Sequence, residues 1–246
     1  MMTHSQRLRE TVSLVRARLN SLIHQVWFHP RLSELFPEFL FAMYGITVAS
    51  APAMRAAATR CSTLTDDPLA KWLGEYYLEH AEEESGHEEW LLDDLASFGI
   101  PRDQIFERMP YPSVAALVGL QYYWMFHVHP IAYLGYISIV EEPATMEFLE
   151  SVSRRTGIAL WSMSGHVMHA RLDPDHVAEF DVALDSLALR QHQQDLISVS
   201  AIATVAHLEN VFADILEHFG RISDPASAAT IFTAPRVALS SAPRER

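Results

Sequence analysis

The amino-acid sequence predicts an all-α protein built as a single domain. Apolar residues recur three and four positions apart along almost the whole chain, which is the spacing of one helix face. Only nine glycines occur in 246 residues, and no alternating apolar and polar run is bounded by hairpin turns. Because 49% of the residues are apolar, a chain of this length can enclose one sizeable core. We therefore expect one bundle of about seven helices.

The first half of the chain contains three predicted helices. Residues 5–27 form an amphipathic helix, and the following HPRLSELFP segment, with prolines near both ends, suits a turn or a short helix. A second helix runs from about Glu38 to Cys61. The third is the best marked, because Asp66 or Asp67 can cap its start and Gly99 ends it.

The second half begins with an apolar helical stretch over 113–142, which Pro130 should kink or split. Three more helices are expected around 144–155, 158–187 and 188–219. The domain therefore spans residues 1–220, and residues 221–246, rich in Ser, Ala and Pro, are expected to form an irregular tail.

Charge and composition exclude several classes of function. Eighteen basic against thirty-one acidic residues give a formal net charge of -13, which disfavours nucleic acid and an anionic membrane surface as partners. Charges interrupt the apolar positions of the N-terminus, and no apolar run reaches membrane-spanning length. We expect a soluble, cytoplasmic protein that acts on a small molecule, with a homodimer as one arrangement that the sequence allows. The lone Cys61 is expected to be a buried small apolar residue.

Metal-ligand chemistry is suggested first by His80, Glu84 and His87. Their spacing of i, i+4 and i+7 places the three side chains on one narrow stripe of a helix. This stripe continues the apolar one formed by neighbouring residues, such as Leu73 and Leu91, so it is expected to be buried. The alternative is that the acidic run HAEEESGHEE is a solvated charged face.

A second cluster, His169, Asp173 and His176, has the same spacing and the same types of ligand. Asp173 precedes a proline and could instead serve as a helix cap. Glu141, or its neighbour Glu142, would add a carboxylate at the end of an apolar helix, unless this pair is merely solvated. Imidazole and carboxylate ligands without a thiolate suit iron, manganese or zinc, and two facing stripes with an extra carboxylate suit a pair of metal ions.

Three segments, HAEEESGHEEWLLDDLASFG, YLGYISIVEE and HARLDPDHVAEF, together resemble the haem-oxygenase-like diiron oxidases and oxygenases, also called iron-containing redox enzymes. The resemblance covers roughly residues 20–215 and implies the helical fold shared by haem oxygenase, TenA and PqqC. It also implies two Fe(II) ions with O2 as cosubstrate. Matched position by position, it makes ligands of His87, Glu141, His169, Asp173 and His176.

The sequence departs from this family pattern at His80, where several members have a glutamate. Other members use the residue three positions before the histidine, which is Glu84 here. Whether His80 or Glu83 binds metal, and whether one or two irons are held, stays open at this point.

The resemblance implies an O2-dependent oxygenase or oxidase acting on a small amine-like or amino-acid-like metabolite, by N-oxygenation, desaturation or oxidative cleavage. The alternative within the same fold is a metal-free protein like PqqC or TenA, or a small-ligand-binding protein with a degenerate metal site. A ferritin-like bundle is a structural rival, because Glu84-x2-His87 also fits its Glu-x-x-His motif. The added histidines at 80 and 169 favour the haem-oxygenase-like arrangement.

Overall fold

The computed structural model describes residues 2–141 and 144–223, except for the side chains of 172–176. Within these ranges the chain forms eleven α-helices and two short 3-10 helices, and it contains no strand. The predicted all-α class is confirmed, with more and shorter helices than the seven expected. The α-helices are α1 (His4–Ser13), α2 (Ala17–Trp27), α3 (Leu32–Cys61), α4 (Ala70–Glu83), α5 (His87–Ser97), α6 (Arg102–Glu107), α7 (Pro112–His127), α8 (Tyr133–Val140), α9 (Met146–Thr156), α10 (Ser164–Ser186) and α11 (Gln191–Ser223). The 3-10 helices are Pro130–Ala132 and Leu160–Met163.

The two longest helices, α3 and α11, form the centre of the bundle. Helix α3 packs against α4, α5 and α7, whereas α11 packs against α8, α7 and α2. Both are long and apolar enough to cross a membrane by length and composition alone, yet 50% and 44% of their most apolar windows are buried inside the bundle. Packing against neighbouring helices thus accounts for much of their apolar character.

Helix α8 lies unusually close to α11 because of Gly135. A Cβ atom at this position would lie 2.2 Å from the carbonyl oxygen of Ile197 and 2.8 Å from the backbone nitrogen of Ala201. Both neighbours are backbone atoms, which cannot turn aside as a flexible side chain would. The absence of a side chain therefore sets the distance between the two helices, and Glu141 follows directly at the end of α8.

Two predictions for the N-terminal region are wrong. Residues 5–27 do not form one helix, because the chain turns at residues 14–16 and leaves Leu14 exposed to solvent. Pro37 does not end a turn, since it lies inside α3, which begins at Leu32. The complete burial of Leu35 and Phe36 outweighs the backbone hydrogen bond that the proline removes.

The predicted third helix is also interrupted. Helix α4 ends at Glu83, Gly86 adopts a left-handed conformation with φ of 95°, and α5 begins at His87. A residue in the left-handed conformation ends a helix, and glycine adopts this conformation without a steric penalty. His80 and His87 therefore do not share one continuous helical stripe.

The remaining elements agree with the predictions in outline. The apolar stretch 113–142 is split at Pro130 into α7, a 3-10 helix and α8. The last helix runs from Gln191 to Ser223, so it includes the first three residues of the predicted irregular tail 221–246. The rest of that tail lies outside the described residues. Helix α6 is an element that the sequence analysis did not anticipate.

Candidate metal centre

A cavity of about 580 Å³ lies between α2, α3, α5, α8, α9, α10 and α11. Its volume falls within the range of roughly 300–1,000 Å³ found for small-molecule sites. Most of its wall is aromatic or apolar, and the residues include Trp27, Phe39, Met43, Ile46, Met54 and Phe148. Four of the predicted ligands also line it, namely Glu84, His87, Glu141 and His169. The predicted ligands and a mainly apolar cavity therefore occur in one place.

The break between α4 and α5 determines how Glu84 and His87 meet. Glu84 caps the end of α4, and after two further residues His87 opens α5. Both side chains are buried, and Nδ1 of His87 lies 3.3 Å from Oε1 of Glu84. The Trp90 ring stacks on the His87 imidazole at a centroid distance of 4.0 Å. This contact fixes the plane of the imidazole ring.

His169 on α10 completes a group of three possible ligands. One ligand atom from each of Glu84, His87 and His169 lies within 4.8 Å of the other two. The rings of His87 and His169 are nearly perpendicular, at 88°, with centroids 5.0 Å apart. In an octahedral ion with bonds of about 2.1 Å, adjacent ligand atoms lie roughly 3 Å apart and opposite ones about 4.2 Å apart. The group thus needs little adjustment to bind a single ion.

The donors in this group fit a transition metal ion. Nδ1 of His87 is buried and has no hydrogen-bond partner among the described residues, since its contact with Glu84 is poorly directed. A buried imidazole nitrogen without a partner is costly, and a metal bond would remove that cost. Two nitrogens and one carboxylate oxygen are ligands that iron, manganese and zinc all accept.

Glu84 is held in its charged form by the histidines around it. Burial alone would raise the pKa of this carboxyl, but His87, His169 and His80 together keep it below its ordinary value. An ionised carboxylate is the form that binds a metal ion. The site is therefore ready to accept a cation at neutral pH.

His80 takes a different position from the one predicted by its spacing with Glu84 and His87. Its Nε2 lies 2.5 Å from Oε1 of Glu141, and its Nδ1 lies 3.1 Å from Oε2 of Glu83. Burial alone would lower the pKa of His80, but Glu141, Glu84 and Glu83 raise it to about 9. In this arrangement His80 is a charged partner of Glu141, next to the group of three.

The other two members of the predicted second cluster, Asp173 and His176, lie on α10. Helix α10 runs without interruption through residues 172–176, so the backbone of Asp173 and His176 is helical. Their side chains lie outside the described residues, and so does Glu142. The alternative that Asp173 caps a helix start is not supported, because α10 begins nine residues earlier, at Ser164.

Asp94 connects the two helices that carry His87 and His169. This fully buried carboxylate on α5 accepts hydrogen bonds from the backbone N–H groups of Ser164 and Gly165, at 2.7 and 3.0 Å. It thereby caps the start of α10 from a neighbouring helix. Burial raises the pKa of Asp94, although these donors act in the opposite direction. Because Asp94 anchors α10 on α5, it helps to set the distance between the two histidines.

Comparison with known proteins identifies the fold. No protein-family model and no curated protein matches this chain. A domain of unknown function from Shewanella denitrificans OS217, described as having a heme oxygenase-like fold, matches with a TM-score of 0.75 at 20% identity, over 89% of this chain and 94% of its own. The chain has the haem-oxygenase-like fold.

Two further solved structures support this assignment. A TenA homologue from Pseudomonas syringae pv. tomato DC3000 matches with a TM-score of 0.66 at 15% identity, covering 86% of this chain and 92% of its own. A TenA homologue from P. horikoshii OT3 matches with a TM-score of 0.57 at 14% identity, covering 87% and 98%. At these identities the likeness establishes the haem-oxygenase-like fold that the sequence predicted, and it favours this fold over the ferritin-like rival.

Two residues of the site were missed by sequence reasoning. Asp94 lies seven residues after His87 and therefore on the same helix face, so an acid in that position was a detectable signal. His166 lies three residues before His169 and lines the same cavity. Neither residue completes a repeat of the ligand spacing, so local spacing alone did not point to either of them.

Proposed function

We propose that this protein is an O2-dependent non-haem iron oxygenase or oxidase that acts on a small amine-like or amino-acid-like metabolite. The observation that carries the proposal is the group formed by Glu84, His87 and His169, which opens onto a mainly apolar cavity of about 580 Å³. Metal ligands at the wall of a small-molecule cavity are the usual arrangement of a catalytic metal site, since a purely structural site is closed on all sides.

In this proposal Glu84, His87 and His169 hold one iron ion. Glu141 contributes to a second site together with Asp173 and His176, the two ligands that the family resemblance adds. Iron bound in such a mixed nitrogen and oxygen site, with positions left open, supplies the activation of O2.

The other residues orient the ligands and shape the cavity. Trp90 holds the His87 ring in one plane, and His80 holds the carboxylate of Glu141 through its hydrogen bond at 2.5 Å. Such partners around metal ligands typically contribute 10- to 100-fold to metal affinity or activity, roughly, when they are removed one at a time. The aromatic wall around Trp27 and Phe39 binds the apolar part of the substrate and keeps bulk water out.

A second candidate function is supported by the contact between His80 and Glu141. Because these two side chains already neutralise each other, that half of the site can stay folded without a metal ion. The second candidate is therefore a metal-free enzyme or a small-ligand-binding protein that uses the same cavity.

Anaerobic loading with Fe(II), followed by exposure to O2, distinguishes the two functions. We expect one to two equivalents of tightly held iron per chain, and Fe(II) oxidation coupled to O2 uptake that is faster than in protein-free buffer. Iron content is measured by mass spectrometry of the metal, and O2 uptake with an electrode. If the protein retained only trace iron and O2 uptake matched that of buffer, the oxygenase proposal would be abandoned in favour of the metal-free function.

A further inference from the structure

His166 stands in the cavity wall, three residues before His169 on α10. Three residues correspond to a rise of about 4.5 Å along a helix, so the two rings project from neighbouring turns of one face. Aromatic rings surround His166: Phe39, Trp27 and Phe36 lie with centroids 5.3, 5.5 and 6.1 Å away. This end of the cavity is thus an aromatic chamber with one imidazole in its wall.

The two nitrogens of the His166 imidazole differ in their access to the cavity. Nδ1 is buried and has no hydrogen-bond partner among the described residues. No hydrogen bond from Nε2 to a described residue is found either, so Nε2 is the polar atom that a molecule in the cavity can reach. Burial lowers the pKa of His166 to about 4, with a further lowering by His169, so the ring is uncharged at neutral pH.

The chamber favours a neutral polar group over a charged one. Trp27 and Phe39 lie against His166, and Phe148 and Phe212 line the same cavity. Of the two carboxylates that line the same cavity, Glu141 pairs with His80, and Glu84 lies beside His87 and His169. A charged group placed beside His166 would lose its hydration without gaining an opposite charge, whereas a neutral group needs only one hydrogen bond.

We infer that Nε2 of His166 hydrogen-bonds the uncharged amine or hydroxyl group of a substrate whose apolar body lies against Trp27 and Phe39. The substrate class is a small arylamine, which is uncharged at neutral pH, or an alcohol with a similar apolar body. This inference rests on the proposed function in treating the cavity as the substrate site, but the hydrogen bond itself needs no metal. An amine bound in this way lies one helical turn from the ligand His169.

The inference is tested by calorimetric titration of the full-length, metal-free protein with three matched probes. These are 4-propylaniline, which is uncharged at neutral pH, its apolar analogue 4-propyltoluene, and the charged 4-propylbenzylamine. We expect His166→Phe to weaken binding of 4-propylaniline by roughly three- to tenfold, the usual range for one neutral hydrogen bond. Binding of 4-propyltoluene should change by less than about twofold, because the two rings are similar in size.

Two further variants make the test specific. His166→Gln places an amide near the position of Nε2 and should restore part of the preference for 4-propylaniline. His192→Phe is the matched control, because His192 is an exposed histidine of α11 that does not line the cavity. This control should leave the binding of all three probes unchanged.

Three results would overturn the inference: equal losses of 4-propylaniline and 4-propyltoluene binding in His166→Phe, an equal effect of His192→Phe, or tightest binding of the charged 4-propylbenzylamine. The proposed function can fail separately. Binding of 4-propylaniline that depends on His166, in a protein that holds no iron, would reject the oxygenase and keep this inference. Fe(II)-dependent O2 uptake without any role of His166 in probe binding would reject this inference and keep the oxygenase proposal.

Discussion

Two buried polar clusters of this protein differ in how their charges are balanced. In one, Glu38 on α3 accepts hydrogen bonds from Arg108 and from the Tyr111 hydroxyl, and Arg108 also lies over the Phe41 ring at 3.9 Å. In the other, Glu84 meets only imidazoles among its described neighbours, and Nδ1 of His87 has no hydrogen-bond partner. The first cluster contains its own cation, Arg108, whereas the second presents ligand atoms that can bind a metal ion.

This difference separates a structural cluster from a functional one. A buried carboxylate with an arginine and a hydroxyl as partners is satisfied by the fold and needs nothing from solution. A carboxylate and two imidazoles grouped at a cavity wall are incompletely satisfied without an ion. We therefore expect the Glu38 cluster to govern stability, and the group of Glu84, His87 and His169 to govern metal binding.

The largest expected effect is on metal binding in His87→Ala. Removing a direct ligand should lower the affinity for Fe(II) by more than about 100-fold, beyond the 10- to 100-fold typical for loss of a residue that supports a ligand. Iron retained after gel filtration, counted per chain, measures the effect. The matched control is His192→Ala, because His192 is an exposed histidine on α11. Equal iron retention in His87→Ala and wild type would mean that the second cluster does not govern metal binding.

The second effect is on stability in Arg108→Met. The loss of the cation leaves Glu38, which is only 12% exposed, without its strongest partner. We expect the free energy of unfolding to fall by about 3 kcal/mol, at the lower end of the range for a broken buried pair, because Arg108 is partly exposed. Urea unfolding of the metal-free protein measures it, and Fe(II) affinity should not change.

Arg221→Met is the control for this stability effect. Arg221 pairs with Glu217 on the exposed surface of α11. The loss of such a surface pair costs less than about 1 kcal/mol. A loss of stability in Arg108→Met no larger than in this control would show that the Glu38 cluster is not structural.

Substitution of Asp94 should have a smaller effect on both stability and Fe(II) affinity, because Asp94 supports the metal site through the position of α10. Asp94→Asn keeps the shape but weakens the cap on Ser164 and Gly165. We expect a loss of about 1 kcal/mol in stability and roughly tenfold in Fe(II) affinity. Asp93→Asn is the matched control, since Asp93 is the exposed neighbour with 71% of its side chain accessible. If both substitutions had the same small effect on iron, Asp94 would not position His169.

A pH-dependent effect on stability comes from Glu38. Burial alone would raise the pKa of Glu38, but Arg108, Tyr111 and His218 keep it below its ordinary value of 4.5. A lowered pKa in the folded state means that the stabilisation is fully present above pH 4.5 and is lost as the pH falls through the lower folded value. Wild type should therefore exceed Glu38→Gln by roughly 1–2 kcal/mol near pH 6.

Urea unfolding of both proteins between pH 6 and pH 3 tests this expectation. The difference between wild type and Glu38→Gln should shrink steadily towards the acidic end. A difference that stays constant with pH would mean that the charge of Glu38 does not contribute. The exposed Glu217→Gln should give a curve parallel to that of wild type, because Glu217 pairs only at the surface of α11.

The fold was predictable because helical periodicity reports directly which residues are buried. Leu73, Leu91 and Leu95 are buried as the pattern indicated. The breaks were harder to predict. Nothing marks the turn at residues 14–16, where no glycine or proline occurs, whereas Gly86 was a visible signal for the break between α4 and α5.

The site was predictable only as far as local spacing determines it. Glu84 and His87 were predicted as neighbours, and the structure places them together with His169 from another helix. The pairing of His80 with Glu141 depends on how α4 and α8 are placed in the bundle, which no local pattern encodes. The same holds for Asp94, whose partners lie 70 and 71 residues away along the chain.

The most direct test of the central claim is a crystal structure of the protein loaded anaerobically with Fe(II), with diffraction data collected on both sides of the iron absorption edge. The account predicts an iron-specific anomalous peak between Glu84, His87 and His169, within bonding distance of one atom from each. Occupancy of that position should disappear in His87→Ala and persist in His192→Ala. An iron peak elsewhere, or no peak in a crystal grown with excess Fe(II), would contradict the account.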